Sequence, residues 1–315
     1  MSGLRMIDAA AVHGAADYPA LVGALGEMYR RGCEINELFR VDLASAGGTV
    51  NNLLLRPAWQ RDRHIGVKLV TVFPDNNAKG LPSVMGVVVL IDGTTGEPLA
   101  CIDGTALTLY KTAANSALGA CYLAREQAET MLMVGAGALA PHLIRAHAAV
   151  RPVRRVTVWN RTTARAEALA AEHTRPELPI AATADLEGAA RGADVISCAT
   201  MARQPLIRGA WLKPGAHLDL VGGYTPEMRE TDDEAMRRAR IYVDTREGTL
   251  REVGDIAAPL AAGVISEADI EGDLTQLARG EVPGRRTADE ITVFKNGGGS
   301  NQDLAVAQFL AARVG

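Results

Sequence analysis

The run Gly135-Ala136-Gly137-Ala138-Leu139-Ala140 follows the apolar stretch MLMV and opens a stretch of helical period, PHLIRAH. This is the G-x-G-x-x-A form of a dinucleotide fingerprint. In that setting Gly135 permits a tight turn, Gly137 lets backbone approach a pyrophosphate, and Ala140 lets helix and strand pack closely. Ala138 and Leu139 complete the turn, and the helix N-terminus stabilises the anion. A Gly-rich turn without a ligand is the alternative, and the strand and helix that follow on schedule argue against it. The second apolar run, VTVWNRTTAR, ends where an acid would normally accept hydrogen bonds from the adenosine ribose. A neutral amide followed by a cation accommodates a 2′-phosphate instead. Asn160, Arg161, Thr162 and Arg165 therefore read as a phosphate site, and the expected cofactor is NADPH, with NADH weaker. Alternatively, Arg161 and Arg165 are solvated cations at a helix start.

These residues need a scaffold that delivers strand ends to one edge. After about residue 129 the chain alternates: strand 130–134, helix 138–149, strand 153–159, helix 162–173, then strands ending near Thr200, Gly223 and Thr245. Strands separated by helices of that length require crossovers, so the pattern predicts an α/β doubly wound parallel sheet of Rossmann type. Thr200, Val221 and Gly222 end successive strands, where such a sheet binds its ligand. Upstream, residues 15–31 carry helical spacing, and residues 66–103 change to short β-rich runs punctuated by DNN, GLP and DGTTGE, as in an antiparallel meander. A small-residue-rich helix over 105–125 is able to leave one domain and enter the next. The tail ITVFKNGGGSNQDLAVAQFLAARV begins as a strand, turns on glycines and ends as a helix expected to return to the first domain. The resulting division is residues 1–115 with 291–315 as an α+β substrate-binding and dimerisation domain, and 116–290 as the NADP-binding domain.

Composition narrows the function classes. A chain of 315 residues exceeds the usual size of a single core. With 33 basic and 37 acidic side chains and no block of either sign, a nucleic-acid or membrane-surface partner is not expected. Cys33, Cys101, Cys121 and Cys198 are dispersed without metal-site spacing, so no metal is expected and the thiols read as reduced. The first residues lack an apolar core of signal length, which gives a cytoplasmic expectation.

The segments GVKLVTVFPDN, GLPSVMGVVVLIDGTTGEPLACIDG, LTLYKTAANSALGA, VGAGALA and VFKNGGGSNQDLAVA occur in this order along nearly the whole chain. Together they resemble the ornithine cyclodeaminase/mu-crystallin family. The resemblance implies a homodimer paired through the N-terminal β-domain, a Rossmann domain, and an active site in the cleft between the domains. Cyclodeaminases of that family carry an aspartate where this chain has Tyr224, and a phenol with a pKa near ten replaces that base poorly. The YTPEMRE and WNRT segments are similar to members that reduce cyclic imino acids with NADPH, of the Δ1-pyrroline-2-carboxylate and Δ1-piperideine-2-carboxylate type. Alternatives on the same scaffold are an alanine or N-alkyl amino-acid dehydrogenase, or a mu-crystallin-like protein that only binds NADPH and a small ligand.

By family position, Arg40, Lys68 and Lys111 face the cleft. Arg40 and Lys111 would grip the substrate carboxylate, although Lys111 stands where the family usually has Arg and lacks its bidentate fork. Lys68 would donate a proton to the imine or polarise it; alternatively it lies on the exposed face of a half-buried strand. Asp303 would orient Lys68 or meet the ring nitrogen; alternatively it caps the helix DLAVAQFL. Ser83 matches a substrate or nicotinamide contact, and Thr112 a hydroxyl beside a cofactor phosphate, though both could be ordinary strand and cap hydroxyls. Lys295 and Asn296 precede the glycine turn expected to approach the nicotinamide.

Overall fold

The computed structural model describes residues 3–36, 38–44 and 49–314. In chain order the elements are β1 (Arg5–Ile7), α1 (Ala9–Ala15), α2 (Tyr18–Arg31), β2 (Glu34–Ile35), β3 (Phe39–Ala44), β4 (Val50–Gln60), β5 (His64–Val72), β6 (Val84–Asp92), β7 (Pro98–Asp103) and α3 (Gly104–Leu123). There follow β8 (Thr130–Val134), α4 (Ala140–Val150), β9 (Arg155–Trp159), α5 (Thr163–His173), β10 (Ile180–Thr183), α6 (Leu186–Gly192), β11 (Val195–Cys198), β12 (His217–Leu220), α7 (Asp233–Arg238) and β13 (Ala239–Val243). The chain ends with α8 (Arg246–Thr249), α9 (Gly254–Ala261), β14 (Ile270–Asp273), α10 (Leu274–Arg279), β15 (Ile291–Lys295) and α11 (Ser300–Arg313). Two compact units result, Met1–Lys111 with Gly299–Gly315, and Thr112–Gly298. No helix among the described residues is long and apolar enough to cross a membrane.

The first unit is built on the sheet β1-β7-β6-β5-β4-β2, with β3 also paired to β4. Apart from the parallel β1/β7 pair, its ladders are antiparallel, so the meander expected from residues 66–103 is present and extends further, through β4 and β3. Alternation divides the sheet into two faces. One face carries Gly66 and Lys68, and α11 packs there because Gly66 has no side chain: a Cβ at that position would lie 3.0 Å from Leu304 Cδ1. The other face carries the register row Phe39-Leu55-Leu69-Val87 across four neighbouring strands, and Phe39 and Val87 are exposed, as is Met6 beside Cys101. The helical run expected over 15–31 is α2, which begins at Tyr18, and a separate short helix, α1, precedes it. Asp17 caps α2 by accepting a hydrogen bond from Ala20 N, with Pro19 in the first turn. Asp103 similarly receives Ala106 N at 2.7 Å as α3 begins.

The second unit holds eight parallel strands in the order β10-β9-β8-β11-β12-β15-β13-β14. Counted from β8, the first five strands follow the order 3-2-1-4-5, the Rossmann topology, which reverses direction between β8 and β11. Its core is made by strand residues such as Leu132, Ile196, Leu218 and Val293, all fully buried, as expected for strands covered on both faces. One boundary expectation is overturned. Residues 291–295 do not join the first unit; they form β15, inserted between β12 and β13, and the division falls after Gly298. The run ITVFK is apolar enough to fill an interior strand slot, and only the glycines that follow it let the chain leave the sheet.

Candidate active site

Within the first unit, three elements bring a set of charged side chains onto one face of the sheet. Lys68 projects from β5, Thr108 and Lys111 lie one turn apart on α3, and Gln302 and Asp303 are in the first turn of α11. Lys68 Nζ donates to Thr108 Oγ1 at 2.9 Å and to Asp303 Oδ1 at 3.3 Å. Lys111 Nζ lies 3.8 Å from the same Asp303 oxygen and donates to Gln302 Oε1 at 3.2 Å, and Gln302 Nε2 in turn reaches Tyr29 OH at 3.1 Å. The Lys68 side chain is 12% exposed, against 7% for Lys111 and 4% for Asp303. Two sequence alternatives therefore fall. Lys68 is not on the open face of its strand, and Asp303 is not the cap of α11, a position held by Gly299. Two ammonium groups around one carboxylate leave a net positive charge among side chains that are largely buried. Such a cluster suits a small anion and a transferable proton.

The remaining substrate candidates are placed differently. Arg40 is on β3 with its side chain 57% exposed, paired with Asp42 at 2.8 Å; it shares the face of Lys68 but lies two strands away. Ser83 precedes β6, its carbonyl receiving Phe73 N, well along the sheet from Val88, the register partner of Lys68. The cation that directly faces Lys68 across the ladder is Arg56, half-buried on β4. Sequence reading missed it because Pro57 and the Asn51-Asn52 pair hide the strand character of VNNLLLRPAWQ. Once β4 is in register, alternation puts Arg56 on the Lys68 face.

In the second unit, the register aligns Val134, Cys198, Leu220 and Lys295 at the C-terminal ends of four adjacent strands. The fingerprint turn leaves β8 at this edge. Gly135 has φ +108°, and a Cβ there would sit 2.6 Å from Ala199 O, so only glycine fits. Gly137 and Ala138 are exposed, and nothing stands within 4 Å of a Cβ position on Gly137. Leu139 is the N-cap of α4 and gives it no side-chain cap, leaving the helix start open to an anion. Asn160 ties the two turns together, accepting from Ala136 N at 3.3 Å and donating to Thr162 O at 2.9 Å. Thr162 is the N-cap of α5, again without a side-chain bond, and Arg161 and Arg165 are exposed around that helix start. Open space at Gly137, an uncapped helix and exposed guanidinium groups match the needs of a dinucleotide pyrophosphate and an added phosphate.

Three of the other cofactor candidates line the same edge. Thr200 and Gly222 direct their N–H groups, and Thr200 its hydroxyl, at the carboxylate of Glu230, a residue sequence reading did not single out. Val221 donates its N–H to Cys198 O and is half-buried. Lys295 and Asn296, which precede the glycine turn, have enclosed side chains. Lys295 is fully buried and bonds Asp255 at 3.0 Å, while the Asn296 amide is enclosed by Asn115, Ser116 and the Thr112 carbonyl. Both hold the strand end in place. Thr112 is half-buried, and its part in that network is its carbonyl.

The fold and site define a class, a Rossmann-type dinucleotide unit joined to an antiparallel-sheet unit with a two-lysine, one-carboxylate cluster. The sequence profile of the ornithine cyclodeaminase/mu-crystallin family matches residues 6–314, and the chain belongs to that family. A Delta(1)-pyrroline-2-carboxylate reductase of Paracoccus denitrificans is 44% identical over 266 residues, covering 84% of each chain. Among solved structures, the Thermococcus litoralis Delta(1)-pyrroline-2-carboxylate reductase in complex with NADH and L-proline superposes with a TM-score of 0.90 at 28% identity, covering 98% of this chain and 97% of that one. The iminosuccinate reductase of Paracoccus denitrificans in complex with NAD+ gives 0.87 at 29% identity, covering 98% and 95%.

Proposed function

We propose that the protein is a nicotinamide-dependent reductase of cyclic imino acids, taking Δ1-pyrroline-2-carboxylate to L-proline and Δ1-piperideine-2-carboxylate to L-pipecolate, with NADPH as the preferred cofactor. The observation that carries this reading is the Lys68–Asp303–Lys111 cluster, a proton donor beside a shared carboxylate with net positive charge. The names of the relatives support the same chemistry. A nicotinamide dinucleotide held by its pyrophosphate at the fingerprint turn would supply hydride.

The chain's own residues supply the rest. Reduction places one hydride on the imine carbon and one proton on the imine nitrogen. Lys68 Nζ gives up that proton, and Asp303 and Thr108 hold the ammonium in place beforehand. Lys68 then regains a proton from solvent at its partly open side. The substrate carboxylate is bonded to the carbon that takes the hydride, so its cationic clamp must lie beside the proton donor. Arg56 satisfies this by its register with Lys68, since directly opposed residues have Cβ atoms about 5 Å apart. Lys111 adds charge and holds Asp303. Arg40, exposed on β3, serves at most as an outer guide to the anion.

Preference for NADPH rests on Asn160, Arg161, Thr162 and Arg165. The acid that would repel a 2′-phosphate is absent, and both guanidinium groups are exposed at the α5 start. We also assign a second copy of the chain to the open sheet face bearing Phe39, Leu69 and Val87, giving a homodimer, because a continuous apolar row of this kind is unusual on a monomer. Measuring NADPH oxidation with a cyclic 2-carboxy imine and with an open-chain 2-oxo acid plus ammonia tests the reaction. Faster turnover of the open-chain pair would make the protein an amino-acid dehydrogenase, and background rates with both would make it a binding protein.

A further inference from the structure

Glu230 lies between β12 and α7, has no exposed surface, and closes a ring of contacts behind the strand ends of the dinucleotide crevice. Its Oε1 accepts from Thr200 N at 2.7 Å and Thr200 Oγ1 at 2.8 Å, and its Oε2 from Gly222 N at 2.7 Å. The peptide around it is fixed as well: Glu230 N donates to Asp255 Oδ1 at 2.7 Å, and Glu230 O accepts from Leu206 N and Ile207 N at 2.9 and 3.0 Å. Asp255 Oδ2 receives the buried Lys295 ammonium at 3.0 Å. The clamp bears on the fingerprint turn through packing. A Cβ on Gly222 would lie 2.0 Å from Thr200 O and 2.5 Å from Glu230 Oε1, and a Cβ on Gly135 would meet Ala199 O and Thr200 Cγ2. One carboxylate thus sets the spacing of the β11 and β12 ends, against which the Gly135 turn is seated.

The cluster is poised electrostatically. Facing Glu230 are Asp255 from α9, Lys295 from the end of β15 and the buried Cys198 thiol from the end of β11. Two carboxylates share one ammonium out of reach of water, so the ionised state of the second acid is costly. Burial first, and the Asp255 charge second, push the Glu230 carboxyl up to about 7, against the Lys295 ammonium and the Thr200 donors. The three groups that bond it all donate. A protonated carboxyl would direct an O–H at a backbone N–H or rely on Thr200 Oγ1 reversing its role, and one of the strand ends would be released.

We propose that Glu230 is a positioning residue for cofactor binding: ionised, it holds Thr200 and Gly222 in the geometry that receives the dinucleotide, and on protonation it lets that edge relax, so proton uptake opposes binding. This rests on the crevice being a nicotinamide-dinucleotide site. The sign follows from linkage. The form that binds cofactor is the deprotonated one, so affinity increases as pH rises through the Glu230 pKa, and binding near neutrality expels part of a proton.

The test is a fluorescence titration of the full-length protein with NADH and with NADPH across neutral pH. For a single proton with a midpoint near 7, Kd is expected to be about tenfold higher at about pH 6 than at about pH 8. The step should be the same for both nucleotides, which separates it from titration of the 2′-phosphate. Glu230→Gln should bind weakly and without pH dependence, and Glu230→Asp should recover a step at a shifted midpoint. If Glu230→Gln does not fold, Thr200→Val removes one donor without touching the carboxylate and should move the midpoint upward; an unmoved midpoint overturns the proposal. A flat profile in the wild type with binding intact overturns it too, as does an unaltered step in Glu230→Gln. Failure of the wild type to bind either nucleotide at any pH overturns the proposed function itself, and this inference with it.

Discussion

At the scale of single residues, groups that touch reactants are distinct from groups that hold others in place. In the proposed function Arg161 belongs to the first kind. Removing a charge-assisted contact costs about 1.5–3 kcal/mol, so Arg161→Ala should weaken NADPH roughly 10- to 100-fold while leaving NADH nearly unchanged, as read by titration of both nucleotides. Equal losses would return Arg161 to the status of a solvated helix-start cation. Arg56→Gln should raise KM for the imine by a similar factor with a smaller change in kcat, since it removes binding shared by ground and transition states. An unchanged KM would hand the clamp back to Lys111 or Arg40. Lys68, Lys111 and Asp303 are legible in the amino-acid sequence because the family resemblance spans their motifs. Arg56 and Glu230 are not. The first depends on strand register and the second on which buried donors meet one carboxylate, and neither can be read from spacing along the chain.

At the scale of elements, the strand-turn-helix unit from β8 to α4 is readable because glycine chemistry is local. Gly135 at φ +108° against Ala199 O shows why the motif needs glycine at that position. Gly135→Ala should destabilise the protein by about 1–3 kcal/mol and abolish dinucleotide binding, measured by denaturant unfolding and titration. A variant that binds normally would show that the turn is not the pyrophosphate site. The alternating strands and helices that follow are also readable, since parallel strands are uniformly apolar and their crossovers have helical period. Short edge strands such as β10 and β14 span too few residues to display a period, and β15 pairs in the other unit from the one its sequence position suggests. A strand that inserts between two others far away in sequence leaves no local sign of where it pairs.

At the scale of the whole molecule, oligomeric state is the main consequence of the first unit's two-faced sheet. One face is covered by α11, and the other leaves Phe39, Val87 and Met6 exposed. The protein should sediment at about twice its 33.3 kDa chain mass. Phe39→Asp combined with Val87→Asp should shift it toward the monomer, and a wild-type monomer would leave the apolar face unexplained. The central claim is that Lys68 drives reduction of a small cyclic imine. It is tested most directly by steady-state kcat/KM for Δ1-pyrroline-2-carboxylate with NADPH, wild type beside Lys68→Met, with L-proline quantified as product. We predict proline formation by the wild type, and a loss of roughly 10²- to 10⁴-fold in the variant at unchanged NADPH affinity; a Lys68→Met enzyme that retains its rate within a few-fold would contradict it.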